Sequence, residues 1–246
     1  MLLSELSFVE VEYYLQEKDI ILIPVGSVEQ HSPYGLIGTD FIIAEAIAKE
    51  VGKRLDLLVA PVLPYGMSQH HMGFAGSITL SPKIYINVIK EICVSLLTHG
   101  FKRIVFINGH GGNINPIKTA FDQLKYENHK GLFEIISWYL LPEVQELENA
   151  LYGELNGYHA TASEVSITKF LKPKAFKTKP DVKKNVEKVK AYWPLTKDEF
   201  KAFYPDGRME SAPWLSNEKD GKLIFEEAVR ATMTKVKEIM KINLVE

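Results

Sequence analysis

Short continuous apolar runs alternate along the chain with stretches whose apolar positions recur every three or four residues. Residues 20–25 read IILIPV, 57–62 LLVAPV, 104–107 IVFI and 133–138 FEIISW. Runs this short and this apolar predict strands of a parallel sheet covered on both faces. Between them, 40–53 places Ile43, Ala44, Ile47 and Val51 on one helical face. Ser81-Pro82 reads as an N-cap followed by proline at the first helical position, and Gly100 as the stop, so a helix is expected to about His99. Asn115-Pro116 repeats the cap-plus-proline signal and opens a helix to about 128. A last amphipathic helix covers about 221–242, whereas the stretch from Trp193 to Trp214 reads as an irregular loop. Strands alternating with helices predict the α/β class. With no repeat, low-complexity tract or linker, the 246 residues are expected to form one domain over 1–246.

Composition narrows the function classes. A net charge of −2 gives no field to recruit nucleic acid or an anionic membrane. The one cysteine, Cys93, lies in an apolar helical pattern with Ile89, Ile92 and Leu96, which excludes a disulfide framework and a cysteine zinc site. The N-terminal residues lack the basic-then-apolar pattern of a signal peptide, and no apolar run reaches the roughly 18 residues of a membrane span, so a cytoplasmic location is expected. Residues 172–190 hold eight lysines against Asp181 and Glu187. They read as a solvated excursion or subunit-contact arm, with an anion-binding segment as the alternative.

The histidines carry the chemistry. His99 and His129 fall at predicted helix ends among polar residues and read as surface groups; the other five sit in Gly-rich or polar loops. Glu29 and His31 follow the strand IILIPV, two residues apart, a spacing that turns both side chains to one side of an extended segment. A carboxylate and an imidazole so placed suit Zn, Mn or Fe(II), although a polar loop would read the same way. Asp40 follows in Gly38-Thr39-Asp40, where it could equally serve only the start of the next helix. His110 stands among glycines in NGHGGN, directly after IVFI. A phosphate loop is the competing reading there, but neither GxGxxG nor GxxxxGK[ST] is present. His159 and Glu164 flank a helix start in YHATASE, and Glu164 could merely favour the helix dipole. His70 and His71 follow LLVAPV; as neighbours in an extended loop they should point opposite ways. Three of these clusters follow strands of one sheet, at whose carboxyl edge ligands bind.

With these motifs in hand, the chain resembles the creatininase family. The resemblance rests on PVGSVEQH with GTD, YGMSQHH with GFAGSITLSP, INGHGGN and YHATASEVS, in order, and more weakly on SAPWLSNEKDGKLIFEEAV. It implies a three-layer α/β/α sandwich on a mainly parallel sheet, two divalent metal ions per chain and a homo-oligomer, commonly a hexamer. It also implies hydrolysis of a non-peptide amide or formamide C–N bond through a metal-bound hydroxide. Family members include creatinine amidohydrolases and an archaeal formamide hydrolase of flavin and deazaflavin biosynthesis, and a relative acts in peptide-cofactor maturation. By position, Glu29, Asp40 and His110 would hold one metal, and His31, a bridging Asp40 and Glu164 the other. His159 would donate a proton to the leaving amine, and backbone N–H groups of 109–112 would help stabilise the oxyanion. Ser68, Gln69, His71 and Gly111 would lie near the substrate; Trp138, at the end of a predicted strand, could line the pocket or equally belong to the core. A phosphorylated ribosyl substrate would need cations, which 172–190 or Arg208 could supply. Three departures stand out. Tyr34 replaces a histidine, and Ala162 replaces an acidic residue. Gly112 stands where creatininases carry a glutamate in HYEN, which argues against creatinine as substrate. Creatinine or a related cyclic amide remains the alternative substrate, and a non-catalytic binding or assembly protein with a vestigial metal site the alternative of another class.

Overall fold

The computed structural model describes residues 1–177 and 180–244. Among these residues four strands form one parallel sheet in the order β2-β1-β3-β4: β1 (Ile20–Val25), β2 (Leu58–Val59), β3 (Arg103–Asn108) and β4 (Leu132–Ser137). Register is continuous along β1 and β3, from Ile20 opposite Arg103 to Val25 opposite Asn108. The helices are α1 (Phe8–Glu17), α2 (Thr39–Leu55), α3 (Pro82–Thr98), α4 (Ile114–Tyr126), α5 (Pro142–Tyr152), α6 (Ala162–Leu171), α7 (Lys197–Phe203) and α8 (Glu218–Met240).

Strand periodicity sorts the core into two layers. Ile20 and Leu22 point to one face, where they pack with Ile43, Ile47, Ile167, Ile224 and Val236 of α2, α6 and α8. Ile21 and Ile23 point to the other, against Tyr14, Ile89, Cys93, Ile117 and Leu124 of α1, α3 and α4. The sheet is thus the middle layer of an α/β/α sandwich. Its apolar runs are continuous because both faces are covered. A smaller cluster of Leu195, Phe200 and Tyr204 lies under α7.

Several expectations need correction. The run 57–62 pairs as a strand only over Leu58–Val59; Pro61 has no N–H to continue the ladder. Asn115-Pro116 does not cap α4, which begins one residue earlier, at Ile114, after a 3-10 turn over Gly111–Asn113. Pro116 fits in the first turn because amides there have no intrahelical acceptor. Trp138 leaves β4 and begins a 3-10 turn. The region 193–214 is not wholly irregular. It contains α7, started by a capping box in which Thr196 and Glu199 satisfy each other's backbone amides. In the Lys-rich segment, Lys179 lies outside the described residues.

Helices α6 and α8 pack closely at Gly221, where a Cβ would stand 1.9 Å from the Ser166 carbonyl oxygen. Gly221→Ala must separate the two helices, one of which presents Glu164. A loss of about 1–3 kcal/mol in unfolding free energy is expected, typical of overpacking, and urea denaturation measures it.

Candidate metal centre

The order β2-β1-β3-β4 reverses between β1 and β3, so the loops after these strands diverge and open a crevice at their carboxyl ends. Glu29 and His31 lie on the loop after β1, and His110 on the loop after β3. Asp40 is the second residue of α2 and Glu164 the third of α6. Both carboxylates therefore sit in a first turn, where the helix dipole favours negative charge.

The side chains converge on Asp40. Its Oδ1 lies 3.0 Å from His31 Nε2 and its Oδ2 3.1 Å from His110 Nδ1. Glu29 Oε2 stands 3.2 Å from His110 Nδ1, and Glu164 Oε1 4.0 Å from His31 Nε2. Glu29, His31, Asp40 and His110 are all buried. Despite these short separations, Glu29 Oε2, His31 Nε2 and Asp40 Oδ2 have no hydrogen-bond partner. Their lone pairs face shared points rather than each other. Three groups lie within ligand reach: Glu29, Asp40 and His110; His31, Asp40 and Glu164; and Glu29, His31 and His159. The far ring nitrogens are anchored in turn. His31 Nδ1 faces the Glu29 carbonyl at 3.3 Å, and His110 Nε2 the Met67 carbonyl at 3.0 Å. If each donates its N–H there, the inner nitrogen keeps a free lone pair, the tautomer a metal ligand needs. Buried carboxylates, inward lone pairs and oriented imidazoles fit divalent ions of the Zn, Mn or Fe(II) type.

Charge balance in the bare protein follows from the same contacts. Burial pushes the Glu29 carboxyl up, but His110 and His71 outweigh it and hold the group down at about 2. Burial lowers His31, yet Asp40, Glu164 and Glu29 lift it to about 9. Glu164 is raised, mainly by burial. It does two jobs: Oε2 accepts from the Thr161 amide and hydroxyl at 2.9 Å each in a capping box, leaving Oε1 to face His31.

Gln30, which sequence reasoning passed over, orders the surrounding histidines. Its Oε1 accepts from the Ser32 amide, so Nε2 is its donor, 3.0 Å from the Gly207 carbonyl and 2.9 Å from His71 Nδ1. His71 then turns Nε2–H toward Glu29 Oε1 at 3.3 Å. His159 Nε2 lies 2.8 Å from the Gln30 carbonyl and 2.9 Å from Gln30 Nε2; if it donates to the carbonyl, Nδ1, 3.8 Å from Glu29 Oε1, is left unprotonated. Burial, with His31 adding to it, holds His159 at about 3, so its ring rests neutral.

A cavity of about 710 Å³ opens onto this cluster. Gln69, His71 and Gly111 line it, and so do His70 and Tyr139. Other expectations are corrected. Ser68 is fully buried outside the lining, with its hydroxyl on Ser27 and the Ile78 carbonyl. Trp138 packs in the core beside Ile136 and Leu141 rather than at the cavity. His70 and His71 do not diverge, because their segment is a 3-10 turn; their rings lie 4.1 Å apart and both reach the cavity. Of the backbone amides over 109–112, Gly109 N–H donates to the Val25 carbonyl and His110 N–H to Asn108 Oδ1, leaving Gly111 and Gly112 for an oxyanion. Arg208 is forked onto Asp206 and reaches the Asn185 carbonyl; no described lysine or arginine lines the cavity. Tyr34 packs toward Trp214, and Ala162 is buried in the core, where an acidic side chain would have no water. At Gly112 a Cβ would stand 2.2 Å from the Met67 carbonyl and 2.5 Å from His110 Nε2, so this loop has no room for a side chain there.

The family model described as "Creatininase: Creatinine amidohydrolase" matches residues 4–236. A mycofactocin precursor peptide peptidase of Mycolicibacterium smegmatis is 38% identical over 114 residues, 44% of this chain and 46% of the relative. The chain thus spans about half the length of that relative. The creatinine amidohydrolase of Pseudomonas putida is 27% identical over 257 residues, covering 96% of this chain and 95% of the relative. A crystal structure of creatinine amidohydrolase superposes with a TM-score of 0.81 at 23% identity, over 98% of each chain, and so shares the fold.

Asn113 ties the loops together. Its Nδ2 donates to the Gly26 carbonyl at 3.0 Å, and its Oδ1 accepts from the Met67 amide at 3.1 Å. Asn113→Ala strands both groups, and a loss of about 2–4 kcal/mol is expected, at ~1–3 kcal/mol per buried unsatisfied group. Guanidinium unfolding checks it; a change within error would show that the loops hold without this side chain.

Proposed function

The chain belongs to the creatininase family, and we propose that it is a metal-dependent hydrolase of an amide-type C–N bond. The convergence of His31 and His110 on opposite oxygens of Asp40 carries this reading. Glu29, Asp40 and His110 would hold one divalent ion; His31, Asp40 and Glu164 would hold a second. When bound, such ions would supply Lewis acidity toward the scissile carbonyl and lower the pKa of water. With Nε2–H on the Gln30 carbonyl, His159 would present an unprotonated Nδ1 to the site. A neutral imidazole takes a proton from the attacking water before it hands one to the leaving amine, so His159 is a proton carrier rather than a resting acid. The Gly111 and Gly112 amides are the donors left for the oxyanion. Gln69 and His71 line the space for the substrate.

A small amide or formamide is the preferred substrate class. Gly112, with no carboxylate and no room for one, weighs against creatinine itself. The absence of lysine and arginine from the wall among the described residues weighs against a phosphorylated ribosyl substrate and hence against that form of the deformylase reading. A peptide end is the second reading, favoured by the local similarity to a peptidase. No helix of the described residues is long and apolar enough to cross a membrane. A cytoplasmic homo-oligomer, hexameric as the family suggests, completes the proposal; light scattering after gel filtration tests the assembly.

Elemental analysis should find about two divalent ions per chain. Asp40→Ala should lose both, because one carboxylate serves the two sites, whereas Glu164→Ala should lose at most one. Independent loss of single ions in Asp40→Ala would remove the shared-ligand arrangement. Hydrolysis is to be screened over formamides, cyclic amides, creatinine and short peptides, before and after chelation. On whichever is turned over, His159→Ala should lower kcat by about 10²–10⁴-fold with metal content unchanged. Loss of metal in that variant would instead make His159 a ligand.

A further inference from the structure

One carboxyl in the cavity wall is left unused by the chemistry above. Glu148 follows Gln145 by three residues on α5, and both line the cavity from one helical face. Glu148 is only 9% exposed. Glu29, Asp40 and Glu148 are the acidic residues in the buried class among the described residues, and the first two belong to the metal cluster. Glu148 belongs to none of the ligand groups among the described residues. Burial pushes its carboxyl up to about 7, opposed by the Ser163 hydroxyl and reinforced by nearby Glu164. Ser163 is a weak partner, since its hydroxyl also bonds the Thr161 hydroxyl at 2.9 Å.

A buried carboxylate normally has a cation or several donors to repay its desolvation. Among the described residues no cation pairs with Glu148 and the Ser163 hydroxyl is its one donor, while the group stands in a cavity open to a ligand. We propose that Glu148 is the specificity anchor for a positively charged group on the substrate, an ammonium or guanidinium, held while the scissile amide lies against the metal cluster. This rests on the hydrolase reading and narrows its substrate to an amide that also carries a cation. A charge-assisted bond in a water-poor wall is the interaction that a neutral or anionic substrate cannot make. The lack of lysine and arginine in the wall among the described residues acts in the same direction, since no such side chain there competes for the carboxylate or attracts an anion.

Hydroxamates test this whatever the natural substrate is, because the hydroxamate head binds divalent metal. Isothermal titration of the metal-loaded protein would compare acetohydroxamate with ω-amino, ω-methyl and ω-carboxy hydroxamates of increasing chain length. At one length the amine should bind roughly tenfold tighter than its uncharged match, with the carboxylate weakest. In Glu148→Gln, a near-isosteric change, that preference should vanish while acetohydroxamate affinity and metal content stay the same. Equal binding of amine and alkyl probes to the wild type at every length overturns the anchor, and this arm does not depend on the variant folding. A preference that persists in Glu148→Gln overturns it too. No bound metal and no acetohydroxamate binding would overturn the hydrolase reading, and the anchor with it.

Discussion

The structure is organised around one buried carboxylate. Asp40 gives one oxygen to His31 and the other to His110, and both contacts lie where almost no water reaches. Burying an acid in this way is costly unless positive charge or donors surround it. Much of the architecture exists to bring those groups to one point. The sheet order places the β1 and β3 loops on either side of α2's first turn. Asn113 then ties the loop after β3 to those after β1 and β2, and Asn108 braces His110 within its own loop. The cluster is held by bonds that do not themselves use the lone pairs it needs, which leaves Glu29 Oε2, His31 Nε2 and Asp40 Oδ2 free.

Helix ends supply the second support. Asp40 and Glu164 occupy the first turns of α2 and α6, so each negative charge sits at the positive end of a dipole. Glu164 shows how economical this is: the same carboxylate closes a capping box with one oxygen and faces His31 with the other. Folding of α6 and orientation of the candidate ligand are therefore one event.

The strands and most helices were legible because burial on both faces leaves unbroken apolar runs, and because a helix buries only a stripe. β1 is read at its true ends for that reason. The failures have local causes. α7 is short and lies among aromatics and prolines, so its capping box is the only strong signal. Trp138 looked like a cavity residue because it ends an apolar run, but a 3-10 turn carries it into the core and presents Tyr139 instead. Glu29, His31 and His110 stood out in the sequence because they follow strand ends; Asp40, His159 and Glu164 fall at helix starts, where the helix dipole reads the same way, and gained weight from the other clusters. Gln30 and Glu148 did not stand out. A glutamine between two candidate ligands and a glutamate on an ordinary amphipathic helix carry no pattern; only tertiary packing gives them partners or withholds them.

Gly112 and Glu164 together show what this chain does with its loops. Where the resembling family pattern carries a glutamate after its NGH histidine, the backbone here presses against the Met67 carbonyl and excludes any side chain. The loop therefore carries no side-chain carboxylate at Gly111 or Gly112. The Glu164 carboxylate reaches the cluster from α6, and Glu148 on α5 lines the same cavity beside Ser163. The Gly-rich loop and the carboxylates of Glu29, Asp40, Glu164 and Glu148 thus share one cavity, with Glu29 and Asp40 beside His110 and the other two on α6 and α5. On the proposed reading, a substrate that carries a cation beyond its scissile amide would find Glu148 on the α5 side of that cavity.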